Sequence, residues 1–199
     1  METGELQDII ISVLAIAVAF SIADMSLFPI VLLTVGLGFV LHELGHRFVA
    51  RHYGARAFYK AWPEGLLFMF ATAIISRGGF LFAAPGAVYI YSNYLGRREN
   101  GIISISGAVV NFLLALLFLF IGLAIGMIGT TKAAELGAMF IYIGTLTNLY
   151  LALFNMIPIP PLDGSKVAAW SPLIWFVFTG IVFVSWAFFR FLIPMLFVG

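Results

Sequence analysis

Apolar runs of membrane length recur along the chain, separated by short polar or glycine- and proline-rich breaks. Residues 29–52, 102–128, 135–156 and 172–198 are such runs, and residues 9–23 form a shorter first one. A helix of about 20 apolar residues crosses the ~30 Å hydrocarbon layer of a bilayer. Each break has a cause. Asp24 to Pro29 reads as a turn, with Pro29 in the first turn of the next helix, where its missing N–H costs nothing. Pro158, Pro160 and Pro161 end the fourth run. Arg190 and Pro194 interrupt the last one.

Residues 53–101 follow a different pattern. Gly54, Pro63, Gly65, Gly78, Gly79, Pro85, Gly86 and Gly96 punctuate them, and the apolar pieces between are too short to cross as helices. Phe80-Leu81-Phe82 and Ala87-Val88-Tyr89-Ile90-Tyr91 are β-branched and aromatic, which favours strands. The expected fold is a polytopic α-helical membrane protein. It has about five transmembrane helices and a small membrane-associated β element, a β-rich surface segment over 53–101, between the second and third. Residues 1–199 form one membrane-embedded domain.

Composition agrees. Hydrophobic residues make up 63% of the chain and charged residues 10%, against about 25% charged in a soluble domain, and mean hydropathy is +1.11. A net charge of +1 without a basic patch gives no footprint for nucleic acid. There is no cysteine, so any metal must be held by His and carboxylate. The acidic start (Glu2, Glu5, Asp8) argues against a cleavable leader, whose first residues are basic. Arg51, Arg56, Lys60, Arg77, Arg97 and Arg98 lie between the second and third runs and Lys166 follows the fourth, whereas Lys132 stands in an opposite-side loop. The positive-inside rule then puts 51–101 and 158–171 in the cytoplasm.

Chemistry concentrates at His42-Glu43-Leu44-Gly45-His46, an HExxH string in the last third of the second run. Histidines at i and i+4 lie about 40° apart on a helix and can share one Zn²⁺. Glu43 lies near the same face and can take a proton from a metal-activated water. Ionisable groups inside a spanning helix are costly and mark function. Catalytic zinc normally has three protein ligands. His52 is one candidate, because its spacing matches HExxHxxGxxH. Val49, however, occupies the position of the turning glycine, so the helix can continue and carry His52 about 120° away from His46. Asp163 is the better candidate. Only Asp163 and Glu135 are carboxylates beyond the third run, and the charge bias puts Asp163 on the side of the motif. It follows three prolines, and Gly164 allows close backbone approach.

HELGH in an apolar helix, followed by Asn155-Met156-Ile157-Pro158-Ile159-Pro160-Pro161-Leu162-Asp163-Gly164, resembles the site-2 protease family of intramembrane zinc metalloproteases, whose pattern is HExxH plus NxxPxPxxDG. The resemblance covers about residues 28–166, a catalytic three-helix core. It implies one zinc ion held by His42, His46 and Asp163, Glu43 as general base, and Asn155 helping to hold the scissile peptide or its oxyanion. Gly107 to Asn111 departs from a family stretch by having Ala108 in place of proline, which leaves Asn111 without an implied role; Asn148 is read as a helix–helix hydrogen-bonding residue. Substrates implied are single-pass transmembrane proteins met within the lipid bilayer, with the active site towards the cytoplasm. A substrate must unwind locally, and strands in 80–91 could take it by edge pairing. It must also enter sideways, so the first or last span must move. Two other readings compete. One is a non-catalytic membrane metal-binding or transport protein, which leaves Glu43 no special role. The other is a protease of prenylated C-terminal peptides, which needs an ExxxD stretch; Glu64, Glu99 and Glu135 have no Asp four residues on.

Overall fold

Helices form wherever the apolar runs are continuous. The structure, a computed structural model, describes residues 4–92 and 94–192. The chain divides near residue 95 into two compact units.

In the first unit, helix α1 (Glu5–Phe20) leads through a tight turn into α2 (Met25–His52). Asp24 caps α2: its Oδ1 accepts from the Ser26 N–H at 2.9 Å and the Ser26 hydroxyl at 2.7 Å, which holds the carboxyl below the usual carboxylate range. A π-helical turn over Leu32–Gly36 interrupts α2. There Gly36 lies so near α1 that a Cβ would sit 3.2 Å from Val13. The two helices therefore pack antiparallel in close contact.

Strand β1 (Arg56–Ala61) follows, then helix α3 (Pro63–Ile75), then strand β2 (Gly86–Tyr91). The strands pair antiparallel, Arg56 opposite Tyr91 and Ala61 opposite Gly86. This corrects two expectations. Phe80–Phe82 is not a strand, because side chains of α3 take its backbone instead: the Ser76 hydroxyl accepts from the Phe80 N–H, and the Thr72 hydroxyl accepts from the Phe82 N–H. The partner of β2 is Arg56–Ala61, where Ala57 and Tyr59 are buried on one face. The stretch is also not purely β. Pro63 opens a 13-residue helix rather than a turn.

The second unit holds α4 (Arg97–Gly126), α5 (Thr131–Asn155), α6 (Asp163–Trp170) and α7 (Pro172–Phe191). α4 and α5 form a close hairpin. A Cβ on Gly122 would come 2.6 Å from the Gly137 carbonyl oxygen, and one on Gly137 would press on the backbone of Gly122 and Gly126. Midway, Asn111 Nδ2 donates to Asn148 Oδ1 at 3.1 Å, and Asn148 Nδ2 donates to the Gly144 carbonyl at 2.8 Å. These amides tie the helices together, the role read for Asn148. Ala108, Ala115, Leu149, Ala152, Met156, Val167 and Val182 form the buried core, and the Trp175 indole N–H donates to the Met156 carbonyl at 2.7 Å.

Four helices are long and apolar enough to cross a membrane: α2, α4, α5 and α7. The 16-residue α1 is only about 24 Å long, short of a full crossing, so four such helices stand among the described residues where about five were expected. Pro194 and the end of the 172–198 run lie outside the described residues.

Gly137→Val should force α4 and α5 apart. Overpacking of this kind costs about 1–3 kcal/mol. Thermal unfolding in detergent should show a lower midpoint, and an unchanged midpoint would contradict the close approach.

Candidate metal centre

α2 carries His42, Glu43 and His46, all buried. The two imidazoles stand edge to face, with ring centroids 4.6 Å apart and planes at 88°. Their Nε2 atoms are 2.9 Å apart. The i, i+4 spacing thus directs both ring nitrogens at one point in an apolar setting. Two imidazole donors converging from one helix suit Zn²⁺. The helix then runs unbroken to His52, which is exposed and turned edge-on against Tyr53. Val49 does not break it.

Beside the motif lies a small cavity lined by Glu43, Glu5, Arg47, Tyr59, Phe39 and Val40, with about 20 Å³ open to the centre of a water. That is room for about one water molecule next to Glu43.

The wall of this cavity was not foreseen. Arg47 Nη1 pairs with Glu5 Oε1 at 3.0 Å, with both side chains largely buried. The same Glu5 oxygen accepts the backbone N–H of Tyr59 at 3.0 Å, and Asp8 Oδ2 accepts that of Ala61 at 3.2 Å. The Tyr59 hydroxyl donates to Ser12 Oγ at 2.7 Å. Burial pushes the Tyr59 phenol well above its usual range; the Ser12 bond opposes this, and the nearby Glu43 and Asp8 carboxylates add to it. The first turn of α1 therefore clamps both the motif helix and β1. Two signals in the sequence point to the clamp: acids opening an otherwise apolar helix, and an arginine directly after HExxH.

The second unit carries the other expected residues at the borders of one proline turn. Asn155 ends α5, and its Nδ2 donates to the Leu151 carbonyl at 3.0 Å, leaving the amide a second N–H. Asp163 opens α6 and pairs with Lys166 at 3.4 Å. Between them the Pro160–Pro161 bond is cis. Gly164 is obligatory there: a Cβ would overlap the Met156 carbonyl and come 2.7 Å from that of Ile157.

The sequence is 46% identical over 176 residues to a protein of Methanocaldococcus jannaschii named "Putative zinc metalloprotease MJ0611", covering 86% of both chains. It is 32% identical over 151 residues to the similarly named YwhC of Bacillus subtilis, covering 72% of this chain and 69% of that one. Rip2 of Mycolicibacterium smegmatis, with a name of the same form, is 31% identical over 140 residues, which are 62% of this chain and 50% of Rip2. The chain belongs to this zinc metalloprotease family. No family model and no solved structure matches it. This metalloprotease uses Zn²⁺, in keeping with its two converging imidazoles and its lack of thiols.

Two outcomes check the clamp. Glu5→Ala strands a buried guanidinium, a change that costs about 3–5 kcal/mol, and should lower the thermal midpoint sharply while Glu5→Asp restores part of it. The raised phenol makes stability fall as pH rises past ~10, where the unfolded chain loses the proton that the folded chain keeps. Tyr59→Phe should flatten that alkaline loss in a pH series of unfolding midpoints. An equally steep loss in the variant would show that Tyr59 is not its source.

Proposed function

We propose that this metalloprotease is of the site-2 type and hydrolyses peptide bonds in or near transmembrane segments of other membrane proteins. The observation that carries the reading is the buried His42–His46 pair, with Glu43 beside a water-sized cavity, on a helix of membrane length. A soluble substrate would not call for this placement, whereas a substrate already in the bilayer does.

In this reading His42, His46 and Asp163 would hold the ion. Asp163 is favoured as third ligand by its fixed place at the start of α6, where Gly164 lets the chain close on the end of α5. His52 is disfavoured by its exposure. Bound zinc supplies Lewis-acid polarisation of the scissile carbonyl and acidifies a water. Glu43, which borders the water-sized cavity, would take a proton from a water held there and return one to the leaving amine. The second N–H of Asn155 is available to a developing oxyanion. The basic residues Arg51, Arg56, Lys60, Arg97, Arg98 and Lys166 favour a cytoplasmic active site.

An unwound substrate also needs partners for its backbone. Glu5 and Asp8 occupy the outward N–H groups of Tyr59 and Ala61, so the outer edge of β1 is taken. Val88 and Ile90, opposite Tyr59 and Ala57, point their backbone groups out of the other edge. That edge is the one offered for strand addition.

Glu43→Gln is expected to keep zinc and to lower cleavage of a transmembrane substrate by about 10²–10⁴-fold. Asp163→Ala is expected to lose zinc; full retention would move the third ligand to His52. Proline at Val88 or Ile90 should impair cleavage with zinc intact, and unimpaired cleavage would remove the edge from the mechanism. Wild-type protein that carries zinc across vesicles and never cleaves would mark a transporter instead.

A further inference from the structure

The stretch between the two strands, residues 62–85, has a depth that a surface loop lacks. Its base is fixed near the start of α1: β1 is bound by Glu5, Asp8 and Ser12. Its tip is fixed at the other end of α1, where a Cβ on Gly78 would lie 3.1 Å from Ala23 and 3.6 Å from Ile22. Asp8 and Phe20 are separated by about 18 Å along α1, with Ala23 in the turn just beyond, and the 13 residues of α3 span about 20 Å. α3 thus runs beside α1 along its length, and α1 itself runs antiparallel to the spanning helix α2, from the Glu5–Arg47 pair to the turn at Asp24.

The return leg is built for a place without water. Gly65 lets it close at the base, since a Cβ there would overlap the Ala84 carbonyl. The Thr72 hydroxyl accepts the Phe82 N–H, and the Ser76 hydroxyl accepts the Phe80 N–H while donating within hydrogen-bond range of the Phe80 carbonyl. At the tip the N–H groups of Arg77, Gly78 and Gly79 bond to the carbonyls of Ile74, Ala73 and Ser76. Irregular backbone at membrane depth needs such internal partners. No charge occurs between Glu64 at the base and Arg77 at the tip. Leu67, Phe68, Ile74 and Ile75 point outward and are 58–83% exposed. On α2, Leu33 and Leu37 are likewise exposed.

We propose that residues 62–85 form a re-entrant helical hairpin embedded in the bilayer, with Leu67, Phe68, Ile74 and Ile75 against lipid acyl chains and Arg77 at the headgroup interface opposite the sheet. Arg77 then leaves the set of basic residues on the side of the motif.

The test uses the absence of cysteine from the chain, which makes any introduced thiol unique. In sealed right-side-out and inverted vesicles, an impermeant maleimide should label Arg77→Cys and Lys60→Cys from opposite faces. Labelling of both from the same face, or of Arg77→Cys only after detergent, overturns the proposal. Independently, bimane attached to Ile75→Cys in reconstituted vesicles should be quenched by lipids brominated on their acyl chains. Absence of quenching would mean that solvent or protein, not lipid, covers this face, and would equally overturn it. Neither readout depends on proteolysis.

Discussion

Two imidazole nitrogens held 2.9 Å apart inside an apolar layer must share either a tautomer's proton or a cation. A helix cannot relieve this by moving one residue, since i and i+4 are locked to the same face. Water cannot relieve it either, because both rings are buried. A zinc ion suits the pair, as the metalloprotease relatives imply, and the polar features beside it fit that role. Glu43 must sit where a water can reach it, so a cavity persists beside the motif. Arg47, one turn on from Glu43, must be neutralised, so an acid from another helix is brought to it.

That acid shows how one residue can serve several demands in a low-dielectric setting. Glu5 answers the Arg47 charge and a strand N–H with a single oxygen. Burying a charge costs several kcal/mol unless it is paired and hydrogen-bonded, and Glu5 and Arg47 meet that condition together. The same contacts occupy one edge of the two-stranded sheet, leaving the other edge as the open one. The short α1 therefore braces the motif helix and the sheet.

Much of this was legible in the residues. Long apolar runs mark helices because nothing else satisfies the backbone in lipid, and α2, α4, α5 and α7 formed where those runs stand. HExxH on a helix leaves little freedom, so the meeting of His42 and His46 was set by spacing alone. The stretch over 53–101 was harder to read. Pro63 and Gly65 resemble turn residues, yet the first opens a helix and the second lets another segment pass close. Phe80-Leu81-Phe82 has strand-type side chains, but the hydroxyls of Thr72 and Ser76 outbid a sheet for its backbone. Arg56–Ala61 carries two charges in six residues and hides its strand character in the alternate burial of Ala57 and Tyr59. The contact of Glu5 with Arg47 joins residues more than forty apart, so the acids that open α1 and the arginine after HExxH mark its two ends without pairing them.

The central claim is that the buried histidine pair is a zinc centre. X-ray absorption at the zinc edge of the purified protein addresses it most directly. The account predicts stoichiometric zinc with two imidazole scatterers at about 2.0–2.1 Å and oxygen ligands completing the shell. Zinc bound by one imidazole or none, or protein purified active without zinc, would contradict it.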